Sequence, residues 1–250
     1  MDELRLIRAR FAEPPALDTA VSAAILEAVS AGTEPATLRL HRPPAVVAFG
    51  SMDRPAPGFA RAVAAARAGG YGAILRLAGG RAAVFHEGTI AFALTRPDPN
   101  PKSGIRQRFE ELSTLVAQAL GGLGVDARVG EVPGEYCPGS FSVNAAGRRK
   151  LMGVGQRLAT GATHVGGVIV VGGGDEVRDV LVPVYRELGL AWDPETVGAV
   201  EDEDPSLGWD DVASALLEAF GARFRLVEGE LAPATIERAE ALVKRYEPDV

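Results

Sequence analysis

Apolar residues recur every three to four positions over 17–30, where Leu17, Val21, Ala24, Ile25 and Ala28 form one stripe, and this spacing predicts a helix. Ala31-Gly32 ends it. The pattern then shortens. Thr37–Leu40 and Ala45–Phe49 read as two strands of a hairpin turning at Pro43-Pro44. An alanine-rich helix, Gly58–Ala68, stops at Gly69-Gly70 ahead of a strand at Ala73–Leu77. Ala78–Gly88 reads as a glycine turn between strands followed by a polar His-Glu-Gly turn, and Ile90–Leu94 as a further strand. A proline-rich loop, Pro97–Gly104, precedes a helix over 106–120 whose buried stripe is Phe109, Leu112, Leu115, Val116 and Ala119.

Alternation returns at Phe141 and Val143, set against Ser140, Ser142 and Asn144; Ala146-Gly147 supplies a turn, and an apolar, glycine-rich strand runs from Leu151 to Leu158. Period two places Lys150 with Met152, Val154, Gln156 and Leu158, and puts Gly153 and Gly155 on the other face. The β-branched run His164–Val171 reads as a central strand. Beyond Gly172 helices are expected near 176–188, 209–220 and 233–246, with an acidic loop at 201–204. The chain thus divides into a main unit, 1–172, and a helical C-terminal portion, 173–250, packed upon it.

Composition narrows the classes. A chain of 250 residues, 47% of them hydrophobic, can bury a sizeable core. A formal charge of −7 and the lack of any lysine-rich run argue against nucleic acid as the main partner. Such a chain must meet other acidic proteins through local patches. No apolar run approaches the ~20 residues of a membrane helix, the N-terminus is acidic where a signal peptide is basic, and a single cysteine forms no internal disulfide. A monomeric cytoplasmic protein without a bound metal is expected.

Two residues stand out against that background. Of the 26 basic residues only Lys102, Lys150 and Lys244 are lysines, so an amine at the start of an apolar strand is unusual in this chain. Lys150 is either solvated beside Arg148 and Arg149 or buried against an anion. Cys137, the sole cysteine, is either a small buried hydrophobe or a nucleophile on the Cys137-Pro138-Gly139 turn. A regular hairpin turning at Ala146 would leave the two about 20 Å apart along the sheet, so a meeting requires the Pro138-Gly139 turn to fold the chain back. Gly79-Gly80 is either a plain hairpin turn or a backbone cradle for an oxygen. His86 is either a structural hydrogen-bonding residue or an acid–base group.

Three ordered segments carry a resemblance: Arg76-Leu77-Ala78-Gly79-Gly80-Arg81-Ala82 with the following His86, Tyr136-Cys137-Pro138-Gly139-Ser140-Phe141, and Arg149-Lys150-Leu151-Met152-Gly153-Val154-Gly155-Gln156-Arg157. In order and spacing they resemble the biotin/lipoate ligase superfamily, and within it the cysteine-dependent octanoyltransferase and amidotransferase branch. The resemblance implies an α/β (α+β) fold, a mixed β-sheet core flanked by helices as in class II aminoacyl-tRNA synthetases and biotin ligases, with 1–172 as the catalytic domain. It also implies an acyl chain in a tunnel and transfer of an octanoyl or lipoyl group onto a lysine of a lipoyl carrier domain. The implied donors and acceptors are the glycine cleavage H protein, dehydrogenase E2 domains and acyl carrier protein.

By the same resemblance Cys137 is the nucleophile and Lys150 lowers the thiol's pKa and stabilises the oxyanion, while Arg76, Gly79, Gly80, Arg81, His86, Gly153 and Gln156 bind substrate. Ala78 and Arg81 depart from the serine and third glycine of ATP-dependent ligases, which favours a transferase that needs no cofactor. An ATP-dependent lipoate ligase and a non-catalytic acyl sensor remain the alternatives.

Overall fold

A computed structural model of the chain describes residues 1–250. Its β-branched segments gather into two sheets, and the amphipathic helices cover them. In chain order the first half contains β1 (Glu3–Ile7), α1 (Leu17–Ser30), β2 (Thr37–His41), β3 (Val46–Phe49), α2 (Phe59–Ala68), β4 (Gly72–Leu75), β5 (Ala83–Phe85), β6 (Thr89–Pro97) and α3 (Ile105–Gly122). The second half contains β7 (Ala127–Val129), β8 (Val143–Ala145), β9 (Arg149–Ala159), β10 (Ala162–Val170), α4 (Gly174–Leu188), α5 (Val200–Glu203), α6 (Trp209–Gly221), β11 (Arg225–Glu228) and α7 (Pro233–Leu242).

The large sheet has eight strands in the order β11-β1-β2-β6-β10-β9-β8-β7, and the small one has the order β4-β3-β5. Both mix parallel and antiparallel pairs, since β1 runs parallel to β2 and β11 whereas β6, β10 and β9 form antiparallel ladders. The α/β fold with a mixed sheet flanked by helices is thus the observed one. Apolar side chains fill both faces of the large sheet. One core cluster lies on the side of α1, α2, α4 and the small sheet; the other lies under α3 and α6. Burial on both faces explains why every residue of β2 is buried.

Four sequence expectations change, besides the acidic loop expected at 201–204, most of which is the short helix α5 (Val200–Glu203). β2 and β3 do not form a hairpin: β2 pairs with β1 and β6, and β3 with β4 and β5, so the Pro43-Pro44 segment carries the chain from one sheet to the other. Residues 76–82 are likewise no hairpin turn, because β4 and β5 flank β3 on opposite sides and the glycine segment crosses its end. The third change concerns parity in β9. Asn144 pairs with Lys150 but the next step pairs Val143 with Met152, which leaves Leu151 as an extra residue.

Leu151 and Met152 therefore both enter the core under α3. Lys150 turns instead to the face of Gly153, and its Cε lies 3.4 Å from where a Cβ on Gly153 would stand. The expected grouping of Lys150 with Met152 and Gln156 is inverted by one bulge. Finally, residues 173–250 are not purely helical. β11 extends the large sheet beside β1, while Leu181, Tyr185 and Tyr246 enter one core cluster and Val212, Leu216 and Phe220 the other.

Candidate active site

The loop between β7 and β8 folds back upon β9, and one carboxylate makes it do so. Glu135, 3% exposed, accepts hydrogen bonds at Oε1 from Gly139 N (3.1 Å), Ser142 Oγ (2.6 Å) and Lys150 Nζ (2.9 Å), and at Oε2 from Val132 N (3.0 Å). These tie both ends of the turn to a single side chain. Lys150, 1% exposed, spends its other two protons on the carbonyls of Tyr136 (3.0 Å) and Cys137 (2.8 Å). The gap that a regular hairpin would leave is closed by this knot. Lys150 is buried against an anion, and its ammonium also lies 4.9 Å from the centre of the Tyr136 ring.

Cys137 is held in a left-handed backbone conformation, φ 42°, that costs a non-glycine residue on the order of 1 kcal/mol or more. Its neighbours fix it there. Its carbonyl accepts from Lys150, and its N–H donates to the hydroxyl of Tyr185 (2.9 Å), which in turn donates to Ala82 O (2.9 Å). Burial first, and the Cys137 charge second, raise the Tyr185 hydroxyl well above its ordinary range, so it stays a neutral phenol able to make both contacts.

The sulfur meets the glycine crossover. Sγ accepts from the Arg81 N–H at 3.2 Å and lies 3.6 Å from an Arg76 guanidinium nitrogen, itself bonded to Arg81 O (3.0 Å). Gly80 is obligatory here: its φ is +119°, and a Cβ would stand 3.0 Å from Sγ and 2.9 Å from the Arg76 guanidinium. Arg81 points its side chain away, to Met52 O (2.8 Å) and the fully buried Asp53 (3.4 Å). Burial raises the Asp53 carboxyl, and bonds from Gly50 and Arg81 oppose that rise. A cavity of about 390 Å³ opens at the sulfur, lined by Arg76, Gly79, Gly80, Cys137, Lys150, Gly153 and Gln156 among others. Beyond Arg76 lies a narrower cavity beneath α1, lined by Asp18, Ser22, His41, Val46, Phe92 and His164.

The structure thus gathers Arg76, Gly79, Gly80, Cys137, Lys150, Gly153 and Gln156 about one cavity, with the Arg81 amide at the sulfur. Gln156 turns its amide to the start of α3, accepting from Arg108 Nε (3.1 Å) and donating to Ile105 O (3.0 Å). His86 stands apart. Its Nδ1 accepts from Gly88 N (3.1 Å) and lies 3.8 Å from Glu176, it is not among the cavity residues, and burial lowers its pKa. The sequence reading missed Glu135, Tyr185 and Asp53 as site residues. Glu135 lay two positions from the cysteine, whereas Tyr185 is 48 residues away and carries no local signal. No group of three or more histidine, cysteine or acidic side chains is placed to hold a metal ion, and no helix is long and apolar enough to cross a membrane.

Comparison with known proteins identifies relatives of the chain. The chain is 29% identical to the octanoyl-[GcvH]:protein N-octanoyltransferase of Geobacillus kaustophilus over 88% of this chain and 80% of that one. It is 31% identical to the Anoxybacillus flavithermus protein of the same name over 86% of this chain and 82% of that one. A T. acidophilum protein described as a lipoate protein ligase, solved with bound lipoic acid, shares the fold at a TM-score of 0.77 and 22% identity, covering 98% of this chain and 96% of that one. The family model for the lipoyl protein ligase A/B catalytic domain matches residues 14–221, which contain the cysteine turn, the glycine crossover and the Lys150 strand, and the chain belongs to that family.

Proposed function

We propose that the protein is an acyltransferase that moves an octanoyl or lipoyl group through a Cys137 thioester onto the ε-amine of a lysine in a lipoyl carrier domain. One observation carries this: the only thiol in the chain stands at the mouth of a cavity, on a backbone clamped from both sides, with a guanidinium and an amide N–H directed at it. Those two groups are placed to stabilise the oxygen that becomes negative as the carbonyl is attacked. Cys137 Sγ forms a bond to the acyl carbon, the bond from that carbon to the donor's nitrogen or sulfur breaks, and the donor leaves with a proton. The acceptor amine then attacks the thioester, the bond from the acyl carbon to Sγ breaks, and the amine's proton replaces on the sulfur the one that left with the donor, so the thiol is regenerated.

In this reading Lys150 is a positioning residue rather than the oxyanion donor. All three of its protons are engaged by Glu135, Tyr136 O and Cys137 O. No nucleotide is consumed, because the group arrives already joined to a carrier. Octanoyl-loaded glycine cleavage H protein mixed with the enzyme and quenched in acid is expected to leave an octanoyl mass increment on the Cys137 peptide. Full ATP-independent turnover by Cys137→Ala, or strict dependence on ATP with free octanoate, would overturn the proposal.

A further inference from the structure

We propose that Arg54, Arg157 and Arg245 form a docking rim for the acidic surface around the acceptor lysine of the carrier domain, an inference that rests on the acyl-transfer reading. The three come from unrelated parts of the chain: the turn after β3, the C-terminal end of β9, and the turn after α7. They converge on one open depression of about 510 Å³, which shares Arg76, Gly79 and Gln156 with the cysteine's cavity. All three are exposed. None has a carboxylate within salt-bridge distance, in a chain where most other exposed arginines are paired. The one acidic residue in the lining, Glu27, is held by Arg238 at 2.6 Å.

Three unpaired guanidinium groups around one depression are mutually repulsive, and they stand against a net charge of −7. Such a local excess lowers the energy of an anionic partner and little else. About half of the lining is apolar, Leu77 and Leu158 among it, and the rest includes Ser51, Arg76 and Gln156; a mixed apolar and charged lining suits a protein surface better than a free anion. The way to the sulfur lies past Gly79, where a Cβ would meet nothing within 4 Å. In the proposal, a lysine side chain projecting from a docked acidic surface reaches Cys137 by way of Gly79, which lines both cavities.

The test combines kinetics with binding. For the triple variant Arg54→Glu/Arg157→Glu/Arg245→Glu, the KM for apo carrier domain is expected to rise at least tenfold, and acylation of Cys137 by the neutral thioester octanoyl-N-acetylcysteamine to proceed at the parent rate. The milder Arg→Gln triple variant is expected to fall between the two, which guards against a folding defect. With the parent enzyme KM is expected to rise with NaCl, and this salt dependence to flatten in the variant. Carrier affinity measured by titration on a Cys137→Ala background reads docking without chemistry, so a failed rim and a failed thioester mechanism give different results. Unchanged KM, unchanged salt dependence and unchanged affinity in the charge-reversed variant would overturn the rim.

Discussion

Two buried cation–carboxylate pairs flank Arg76, and they are built differently. Lys150 and Glu135 are both essentially excluded from solvent, at 1% and 0% side-chain exposure, and every proton of the ammonium has an acceptor. Arg39 and Asp18 lie beneath α1 at 2% and 15% exposure, with His41 as a second partner of the same carboxylate. There Arg39 Nε and His41 Nδ1 have no partner at all. The first pair converts its charge wholly into the geometry of one loop. The second fastens α1 to β2 and leaves spare polar atoms beside a cavity wall. A buried charge confers position only as far as its bonds are complete.

The largest test of that contrast is Lys150→Ala. It strands Glu135 as an uncompensated charge and should lower unfolding stability by about 3–5 kcal/mol, read as a reduced urea midpoint. Thioester formation should vanish with it, since the left-handed conformation of Cys137 then loses the bond on its carbonyl. If stability falls while acylation of Cys137 persists, the knot is structural only and the contrast breaks.

Acid should act mainly on the other side of Arg76. Burial, and after it the Arg39 charge, hold His164 at about 4. The unfolded chain takes up that proton near pH 6.5, so stability falls as the pH drops below about 6.5 and the fall is complete near pH 4, where the folded histidine protonates too. That interval corresponds to roughly 3 kcal/mol. His41 and His86, also lowered by burial, act in the same direction. His164→Gln should flatten the urea midpoint between pH 6.5 and pH 4; an unchanged slope would show that other groups carry it.

Arg39→Met should cost less than Lys150→Ala, about 2 kcal/mol, because Asp18 keeps His41 and some access to water. Equal losses for the two variants would mean that completeness of bonding is not what separates the pairs.

How much of this was readable in the residues follows from how far each interaction reaches. The stripes of α1 and α3 and the alternation around Ala146-Gly147 depend on neighbours within a turn, and those elements appear where the pattern puts them. Cys137 and Lys150 were legible as unusual residues in a chain that otherwise writes arginine. Their meeting was not, because it depends on Glu135 drawing Gly139, Ser142 and Lys150 to one carboxylate. The face of Lys150 was misjudged for a related reason. A bulge shows in the pairing register and leaves no mark on the periodicity of one strand. β11 was hidden because four residues, Arg225–Glu228, become a strand only when β1 supplies the ladder.

The same distance problem makes Tyr185 the finest probe of the contrast. It belongs to α4, outside the segment that carries the motifs, yet its hydroxyl links the Cys137 N–H to Ala82, the residue before β5. Tyr185→Phe keeps the ring, its tilted contact with Trp192 and the Lys150–Glu135 knot. What it removes is one acceptor and one donor. Stability should fall by only about 1 kcal/mol, while the single-turnover rate of Cys137 acylation should fall about tenfold, equivalent to about 1.4 kcal/mol in the barrier, with the KM for carrier unchanged. A rate loss larger than the stability loss would place the function of this bond in aiming the sulfur. If the acylation rate is unaltered, the clamp on the Cys137 carbonyl suffices, and the left-handed turn is held by Lys150 alone.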